Sequence, residues 1–505
     1  MEQKKTRDGK LPSIWQNINK NIFAPSLWTE CDVLIAGGGI TGITTGLLLH
    51  EAGMQCVIAE AHEIGFGTTG GTTCHINTLL DTPYTTIENN FGADGARLVA
   101  GGAIQARNMI DSLVAKYVID CDFEYKDGYL YAQTAEEQEE LQKIYEAAQK
   151  AGVEVEYVNS IPVSMQFTKA LCFAKQAQMH PLKYLNAIAL AFVTQGGVIT
   201  EHVRVVKHEK SGDRYMVHTT GGIIKAKHVI YATHIPQGIN ISHFRCAPYR
   251  SYVLGVQLSD GNYPDAMAYD MKDPYHYFRT HVVDGTTYLI SGGADHKTGH
   301  GDPEDAFDEL EAFTREHFKV QSVDYKWSSQ YFEPADGLPY IGRLTAGEDV
   351  FIATGYGGNG IIYGSLSGII LRDLILGNNN QLAELLSPGR VKPVASFTNI
   401  VKENADVVYH FFSDRFSVES LPVLNEITPG TGKVVIHENE KVAVYRADNG
   451  KIHVMSPVCT HAGCFVAWND EEKSWDCPCH GGRYDALGKV ITGPAREDLK
   501  KIEHK

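Results

Sequence analysis

The 505-residue chain lacks any apolar run close to the roughly 20 residues that a bilayer-spanning helix requires. It also lacks an excess of basic residues, since 45 Lys and Arg stand against 61 Asp and Glu and give a formal charge of −16. A phosphate-backbone partner would require a basic surface. The basic stretch at residues 1–23 has neither the apolar core nor the cleavage site of a signal peptide. These absences predict a cytoplasmic protein with no membrane span and no nucleic-acid partner.

Disulfide-like cysteine spacing is missing from most of the chain. Six of the ten Cys residues are scattered over the first 458 positions, and we expect them to be reduced thiols. The other four fall within residues 459–479. An apolar content of 43% and a charged content of 21% indicate a globular protein. The length allows two or three domains.

What the chain does contain is, first, a glycine-rich turn between a predicted strand and a predicted helix. Residues 31–60 read CDVLIAGGGITGITTGLLLHEAGMQCVIAE, in which Gly37, Gly39 and Gly42 have the GxGxxG spacing. Such glycines permit a tight turn and bring the backbone close to a pyrophosphate at the helix N-terminus. Glu60 closes the second strand, where an acid can accept hydrogen bonds from a ribose diol. The pattern predicts a dinucleotide-binding α/β domain.

Four further segments carry a resemblance to a known family. They are HEIGFGTTGGTTCHINT, HVIYATH, PADGLPYIGR and a second strand, glycine turn and helix, at residues 62–78, 228–234, 334–343 and 351–377. With the first turn, they resemble the D-amino-acid-oxidase-like family of FAD oxidoreductases over residues 31–377. The resemblance implies a Rossmann-like α/β FAD/NAD(P)-binding domain with a mixed-sheet substrate domain, and FAD as the cofactor.

The resemblance also divides the domain into regions. It implies that residues 31–80, 180–235 and 334–377 bind FAD, and that residues 81–179 and 245–330 form the substrate region. The FAD-binding residues that it implies are Gly37, Gly39, Gly42, Glu60, Thr68, Thr69, Thr72, His75, Val205, Gly355, Gly357, Gly358, Asn359 and Gly360.

His75 closes the sequence GTTCH. This sequence resembles the GTTWH of dimethylglycine- and sarcosine-dehydrogenase relatives, whose histidine binds the flavin covalently. Because Cys74 replaces the tryptophan, the favoured interpretation is a non-covalent neighbour of FAD.

The resemblance further implies an amine or amino-acid substrate, because family relatives oxidise C–N bonds. His296 and Lys297, in GGADHKTGH, correspond to a flavin-facing strand end in sarcosine-oxidase-like relatives and are catalytic candidates. Arg279, in the substrate region, is a third candidate, since an arginine there could clamp a carboxylate.

Two Cys-His pairs stand near the C-terminus, in CTHAGC and CPCHG. Cys459 and His461 form C-x-H, and Cys477 and His480 form C-x2-H. A Rieske [2Fe–2S] centre takes two thiolates on one iron and two imidazoles on the other, and these four residues supply that set. A structural zinc is the rival interpretation, although zinc sites usually pair like ligands.

The cluster pattern is similar to Rieske proteins of the cytochrome bc type. By that resemblance Cys464 and Cys479 form a disulfide that ties the two ligand loops together. The serine that bonds a bridging sulfide in those proteins is replaced by Gly482, while a tyrosine remains at Tyr484. Since hydrogen bonds to sulfur raise the potential, the glycine predicts a lower reduction potential.

These features predict an N-terminal extension, a flavin domain, a connector and a small all-β Rieske domain, at residues 1–30, 31–377, 378–414 and 415–505. A helical stretch is expected within the connector, around residues 396–412.

The two cofactors together suggest a dehydrogenase that passes electrons from FAD to the Rieske cluster and on to an external acceptor. The whole chain looks like bacterial proteins that fuse this flavoprotein to a Rieske domain. The alternatives are a non-catalytic redox carrier or sensor, a reductase that runs the electrons backwards, and an oxidase. A Rieske oxygenase would need an iron site, for which His296, His300 and Asp302 are the available residues.

Overall fold

The computed structural model describes residues 7–23, 28–238, 241–390 and 424–503. Within these residues the helices are α1 Ile40–Glu51, α2 Tyr84–Lys116 (kinked at Gly92), α3 Ala135–Ala151, α4 Pro181–Thr194, α5 Pro303–His317, α6 Gly360–Leu376 and α7 Gln381–Leu385. The first ten strands are β1 Glu30–Ala36, β2 Cys56–Ala59, β3 His75–Ile76, β4 Glu124–Ala132, β5 Val155–Val158, β6 Lys169–Gln178, β7 Val198–Thr200, β8 Val205–Ser211, β9 Arg214–Thr219 and β10 Gly222–Tyr231.

The later strands include those of the C-terminal region. They are β11 Cys246–Leu258, β12 Met267–Tyr269, β13 Tyr277–Val283, β14 Thr286–Lys297, β15 Val320–Pro334, β16 Tyr340–Arg343, β17 Val350–Thr354, β18 Thr431–His437, β19 Glu440–Arg446, β20 Ile452–Met455, β21 Ala467–Asn469, β22 Ser474–Asp476, β23 Arg483–Asp485 and β24 Val490–Thr492.

The first sheet has the order β16-β17-β10-β1-β2-β7, and β9 and β8 extend from β10. Strands β17, β10, β1, β2 and β7 pair in parallel, as expected for strands joined by helical crossovers. Strand β1 is buried along most of its length. Helices cover one face of the sheet, and residues of the β8–β9 hairpin pack on the other face. This sheet carries the two glycine turns at the ends of β1 and β17.

Helices α1 and α6 pack closely together beneath these turns. A Cβ atom added to Gly364 would lie 2.7 Å from Ile40, and one added to Gly368 would lie 2.9 Å from Thr44. Neither helix has a solvent-facing polar stripe, and every residue from Ile40 to Leu49 is buried. The small residues of α6 therefore allow the two helices to begin at one edge of the sheet. The turn before α1 covers residues 37–42, and the turn before α6 covers residues 355–360.

The second sheet forms the other wall of the flavin domain. Its order is β15-β11-β14-β13-β12-β4-β6-β3, with β5 on β6, and its pairs are antiparallel except β12 with β4. The prediction of a second, mixed sheet in the flavin domain is confirmed. Long strands β11, β14 and β15 extend from this sheet to the C-terminal region.

The C-terminal region is a small all-β unit, as predicted. Strands β18-β19-β20 form one sheet and β21-β22-β23-β24 the other. The Asp448-Asn449-Gly450 turn joins β19 to β20, and Gly450 takes a positive φ of 83°. The helix expected around residues 396–412 lies outside the described residues. Among the helices that the structure does describe, none is both long and apolar enough to cross a membrane.

Candidate functional site: a dinucleotide cavity and a two-loop cluster site

The first glycine turn has the geometry that close approach of a pyrophosphate requires. Gly37 has a φ of 111°, and a Cβ atom there would lie 2.4 Å from the carbonyl oxygen of Ala232. A Cβ on Gly42 would lie 1.9 Å from the carbonyl oxygen of Gly37. Gly42 therefore packs against the main chain of the turn on the side away from the cavity. Gly37 and Gly39 line the cavity at the N-terminus of α1.

Glu60 is held at the far end of this cavity by two main-chain donors. The N–H of Gly38 donates to Oε2 at 2.7 Å, and the N–H of His62 donates to Oε1 at 2.8 Å. Burial raises the pKa of the carboxyl group, and the two donors oppose that rise. The arrangement fixes an acceptor where the sequence predicts the ribose diol.

The cavity runs from Glu60 to the second sheet and is lined by most of the predicted FAD residues. These are Gly37, Gly39, Glu60, Thr68, Thr69, Thr72, His75, Val205, Gly357, Gly358, Asn359 and Gly360. Gly42 and Gly355 lie behind the two turns instead. Thus the two segments that are about 300 residues apart in sequence form one continuous site, and its glycine cradle fits a bound FAD.

The second glycine turn is fixed by a carboxylate that sequence reasoning missed. Asp81 Oδ2 accepts a hydrogen bond of 2.7 Å from the N–H of Gly358. The N–H of Asp81 donates to Asn359 Oδ1 at 2.9 Å, and Asn359 Nδ2 donates to Asn77 at 3.3 Å. Desolvation by the surrounding cavity walls raises the pKa of Asp81 to about 6, although the side chain remains accessible from the cavity.

A second missed carboxylate, Asp295, lies in the same cavity on β14. Ser251 Oγ donates to its Oδ1 at 2.5 Å, and Tyr331 OH donates to its Oδ2 at 2.9 Å. The Ser251 hydroxyl also lies 2.9 Å from Tyr277 OH. Burial raises the pKa of Asp295 to about 7, and Asp81 adds to that rise.

Aromatic rings surround these two carboxylates. Tyr275 and Tyr277 have ring centroids 5.7 Å apart, and His75 lies 5.6 Å from Tyr277 and 5.4 Å from Tyr269. All four side chains line the cavity. Burial, helped by nearby Arg279, lowers the pKa of His75 to about 3, so its ring is neutral. None of these four lining side chains carries a positive charge, and the guanidinium of Arg279 lies behind them, bonded to the main chain at Thr73 and Cys74.

The sequence-based candidate Arg279 does not face the cavity. It is fully buried, and its Nη1 donates to the carbonyl oxygens of Thr73, Cys74 and Met179 at 2.7, 2.9 and 3.3 Å. Its Nη2 lies 2.7 Å from His281 Nδ1. The prediction of a carboxylate clamp is therefore corrected: the guanidinium braces the turn that precedes His75.

The candidates His296 and Lys297 also lie away from the cavity lining. His296 stacks on Tyr252, with ring centroids 5.1 Å apart, and lines a separate crevice with Trp468 and Asp476 of the C-terminal unit. The strand end predicted to face the flavin thus faces the other unit, because β14 continues past the cavity. In the described chain, His296 forms no metal-ligand group with His300 and Asp302.

The four predicted cluster ligands come together on two loops. The hydroxyl of Tyr484 lies 3.2 Å from Cys459 Sγ, and Cys459 and Cys477 are close enough for their thiols to share a hydrogen bond. The rings of His461 and His480 are 4.9 Å apart. Within the described residues, none of the four ring nitrogens of these histidines has a hydrogen-bond partner, although all are buried.

Two thiols and two unpartnered imidazoles fit a [2Fe–2S] cluster of the Rieske type. Cys464 and Cys479 form a disulfide with an S–S distance of 2.15 Å, the pairing that the resemblance implied. The sulfurs of Cys464, Cys477 and Cys479 lie within 4.8 Å of one another. Because two of them are oxidised to the disulfide, this trio is not a zinc site.

Several flavin-domain side chains contact the cluster loops, and one of them also lines the dinucleotide cavity. Gln330, on β15, donates from Nε2 to the carbonyl oxygen of Gly481 at 2.9 Å, directly after the ligand His480. The carbonyl oxygen of Gln330 accepts a hydrogen bond of 3.0 Å from Thr68, and Gln330 itself lines the cavity. One residue therefore contacts both the cluster loop and the dinucleotide cavity.

A network of six buried charges joins the two units and the N-terminal segment. Its members are Arg7, Asp8, Arg250, Glu472, Asp476 and Arg483, all at most 2% exposed. Arg7 lies 3.3 Å from Glu472, and Arg483 lies 3.3 Å from Asp8 and 3.0 Å from Asp476. Three arginines balance three carboxylates, so the interface is neutral overall.

The comparisons with known proteins agree with both halves of this site. The family model described as FAD dependent oxidoreductase (DAO) matches residues 32–374, and the Rieske [2Fe-2S] domain matches residues 421–503. The chain is 32% identical to the putative Rieske 2Fe-2S iron-sulfur protein YhfW of Bacillus subtilis, over 94% of each chain. It is 26% identical to gamma-glutamylputrescine oxidoreductase of Escherichia coli, over 69% of this chain and 84% of that one.

Among solved structures, glycine oxidase from Geobacillus kaustophilus aligns with a TM-score of 0.61 at 18% identity, covering 72% of this chain and 100% of that one. L-proline dehydrogenase from P. horikoshii aligns with a TM-score of 0.59 at 18% identity, covering 72% and 98%. These two matches support the fold of the flavin domain. The chain belongs to the DAO family of FAD-dependent oxidoreductases and carries a Rieske [2Fe–2S] domain after its flavin domain.

Proposed function

We propose that this oxidoreductase is a dehydrogenase that oxidises a C–N bond of an amine or amino acid and passes the electrons through FAD to the Rieske cluster and an external acceptor. The observation that carries the proposal is the position of Gln330, which touches the cluster loop at Gly481 and lines the dinucleotide cavity. A short path between the two cofactor sites favours electron passage within one chain.

The chemistry balances with these two cofactors. Oxidation of an amine to an imine removes two electrons and two protons, and water then hydrolyses the imine. When bound, FAD supplies a two-electron acceptor and the cluster a one-electron acceptor. The external acceptor therefore receives the electrons singly, and an enzyme of this design does not need oxygen.

The chain's own residues hold and orient the substrate. The hydroxyls of Tyr277 and Tyr331 and the carboxylates of Asp81 and Asp295 line the end of the cavity that is farthest from Glu60. Main-chain and side-chain donors fix both carboxylates before any substrate arrives. Such preorganisation lowers the entropic cost of aligning a C–H bond with an acceptor.

An anaerobic panel of amines and amino acids tests the proposal, with low-temperature EPR of the cluster as the readout. We expect at least one compound to produce the signal of the reduced Rieske cluster, while buffer produces none. For passage within one chain, the rate of cluster reduction should stay constant over a tenfold dilution of the protein.

Two other results would contradict the proposal. Silence across the panel, in samples whose cluster dithionite still reduces, would favour a redox carrier or a reductase. A rate that falls in proportion to the protein concentration would show that electrons pass between chains instead.

A further inference from the structure

The charge at the substrate end of the cavity is one-sided. Asp81 and Asp295 both line it. Among the described lining residues the only Arg or Lys is Arg204, which lies near Glu60 at the opposite end and donates to Val490. A carboxylate ligand would meet two acidic side chains here and no cationic side chain in the cavity lining, which is electrostatically unfavourable.

The two carboxylates occupy separate positions. Asp81 lies at the second glycine turn, through its bond to Gly358. Asp295 lies on β14 in the second sheet, where Ser251 and Tyr331 each donate to one of its oxygens. Within the described residues, neither carboxylate has a cationic side chain among its hydrogen-bond or ion-pair partners. Each oxygen of Asp295 retains a free lone pair, so it can still accept a bond from an ammonium group.

The tyrosines strengthen this preference for positive charge. Tyr269, Tyr275 and Tyr277 present rings to the same space, and aromatic faces attract ammonium groups, more so where water is excluded. The neutral His75 adds no repulsion.

We propose that the substrate is a di- or polyamine without a carboxylate, whose amino groups are bound at Asp81 and Asp295 inside the tyrosine-lined end of the cavity. One amino group stays an ammonium ion, and the one that is oxidised first gives its proton to the carboxylate that holds it. This inference rests on the proposed function and names its substrate class. It excludes simple α-amino acids, because their carboxylate has no cationic partner among the described residues at this end.

The test uses the full-length holoenzyme and follows the visible absorbance of the flavin under anaerobic conditions. The probes are 1,4-diaminobutane and spermidine, the monoamine n-butylamine, and the amino acids sarcosine and proline. We expect the diamine to half-saturate flavin reduction at about a tenfold lower concentration than n-butylamine, which is the effect of one charged hydrogen bond. Sarcosine and proline should have weaker effects still. Half-saturation by an amino acid below that of the diamine would overturn the inference.

Variants assign the effect to the two carboxylates. Asp295→Asn and Asp81→Asn should each raise the half-saturating concentration of the diamine by about 10- to 100-fold, as expected for loss of one charged partner. Asp308→Asn, an exposed position on α5, is the matched control and should leave it unchanged. If both cavity variants retain their flavin and bind the diamine as the unaltered protein does, the inference is wrong.

Non-oxidisable probes separate failure of this inference from failure of the proposed function. If no compound reduces the flavin, the flavin spectrum is titrated with tetramethylammonium and with acetate. A spectral change with tetramethylammonium that Asp295→Asn abolishes would support the cation site and contradict C–N oxidation. Binding of acetate but not of tetramethylammonium, or of neither, would overturn the cation site. Flavin reduction by sarcosine or proline alone would preserve C–N oxidation and overturn the substrate class.

Discussion

Two regions of this molecule place carboxylates in opposite electrostatic surroundings. At the interface between the flavin and Rieske units, Glu472 is fully buried beside Arg7 and Arg250. In the cavity, Asp295 is partly buried beside the hydroxyl groups of Ser251 and Tyr331. Although burial raises the pKa of Glu472, the surrounding guanidinium groups lower it to about 2, whereas the pKa of Asp295 rises to about 7.

The difference separates a structural role from a binding role. A buried carboxylate that already has guanidinium partners gains nothing from a ligand, and its removal leaves arginines unpaired. When a desolvated carboxylate has only hydroxyl partners, its charged form remains unfavourable. A cationic ligand can stabilise that charged form. The interface network therefore holds the two units together, and the cavity acids remain available for a substrate.

The largest expected effect comes from breaking the balanced network. Glu472→Gln leaves Arg7 and Arg250 buried with one carboxylate fewer, which should destabilise the protein by about 3–5 kcal/mol. Thermal unfolding followed by circular dichroism should show a clear fall in the midpoint of the Rieske-unit transition. The neighbouring Glu471→Gln, at a partly exposed position, is the control. Equal midpoints for the two variants would contradict a structural role for the network.

Asp295→Asn should change the free energy of unfolding in the opposite direction, by stabilising the substrate-free protein. In the substrate-free protein, the pKa of Asp295 lies at about 7 against an ordinary 3.8, so the folded state binds the proton more tightly than the unfolded state. Stability is therefore lost as the pH rises from about 4 to about 7, by up to about 4 kcal/mol. Asp81, Glu333 and the hydroxyl donors of Ser251 and Tyr331 are the groups that act on this carboxyl.

The measurement is the unfolding midpoint at pH 5 and pH 8 for the unaltered protein and for Asp295→Asn. We expect the variant to gain stability relative to the unaltered protein at pH 8 and to gain less at pH 5. For Glu472 the sign reverses: its contribution is present above its ordinary pKa of 4.5 and is lost as the pH falls toward 2. If Asp295→Asn raised the unfolding midpoint equally at pH 5 and pH 8, the predicted electrostatic difference between the cavity and the interface would be wrong.

The sequence predicted the parts of both sites that follow local rules. The GxGxxG turn and Glu60 belong to one βαβ segment, and the cluster ligands belong to two short loops, so spacing alone identifies them. The cavity acids had no such signal. Asp81 follows an apolar stretch and Asp295 stands beside the predicted His296. What distinguishes them is their place in one cavity, where they contact elements that are distant in the sequence.

Arg279 was misassigned for the same reason. A sequence shows that an arginine lies in the substrate region, and only the packing of β13 against the turn at Thr73 and Cys74 shows where its guanidinium donates. The N-terminal segment gave no sequence signal at all. Arg7 and Asp8 act as parts of the interface because β22 and β23 approach them from more than 460 residues away.

The cluster site gains one negative charge when the cluster is reduced, and one hydroxyl lies beside a ligand sulfur. Tyr484 OH lies 3.2 Å from Cys459 Sγ, and a hydrogen bond to a ligand sulfur stabilises the reduced cluster. Tyr484→Phe should lower the reduction potential by about 40–60 mV, the equivalent of about 1–1.5 kcal/mol. Protein-film voltammetry measures the change. Tyr445→Phe, on β19 beside Trp468, removes a hydroxyl that forms no bond to a ligand sulfur among the described residues and should leave the potential unchanged. Equal potentials for both variants would show that this hydroxyl does not act on the sulfur.

The smallest expected effect concerns the end of the cavity that Arg204 and Glu60 occupy. There the Rieske unit itself lines the cavity, through Ile491, Thr492 and Gly493. The hydroxyl of Thr492 is buried and has no hydrogen-bond partner within the described residues. A buried hydroxyl without a partner costs stability unless a ligand supplies one. We therefore expect it to bond to the ADP half of FAD, so that the Rieske unit helps to retain the flavin.

Thr492→Val keeps the shape of the side chain and removes the hydroxyl. It should raise the dissociation constant of FAD by about 3- to 10-fold, the effect of one neutral hydrogen bond. Flavin fluorescence during dilution of the holoenzyme measures this constant, and Thr492→Ser should restore tight binding. An unchanged constant in the valine variant would mean that the Rieske unit covers the FAD site without bonding to it. The difference in charge between the two ends of the cavity would then depend on Arg204 and Glu60 alone.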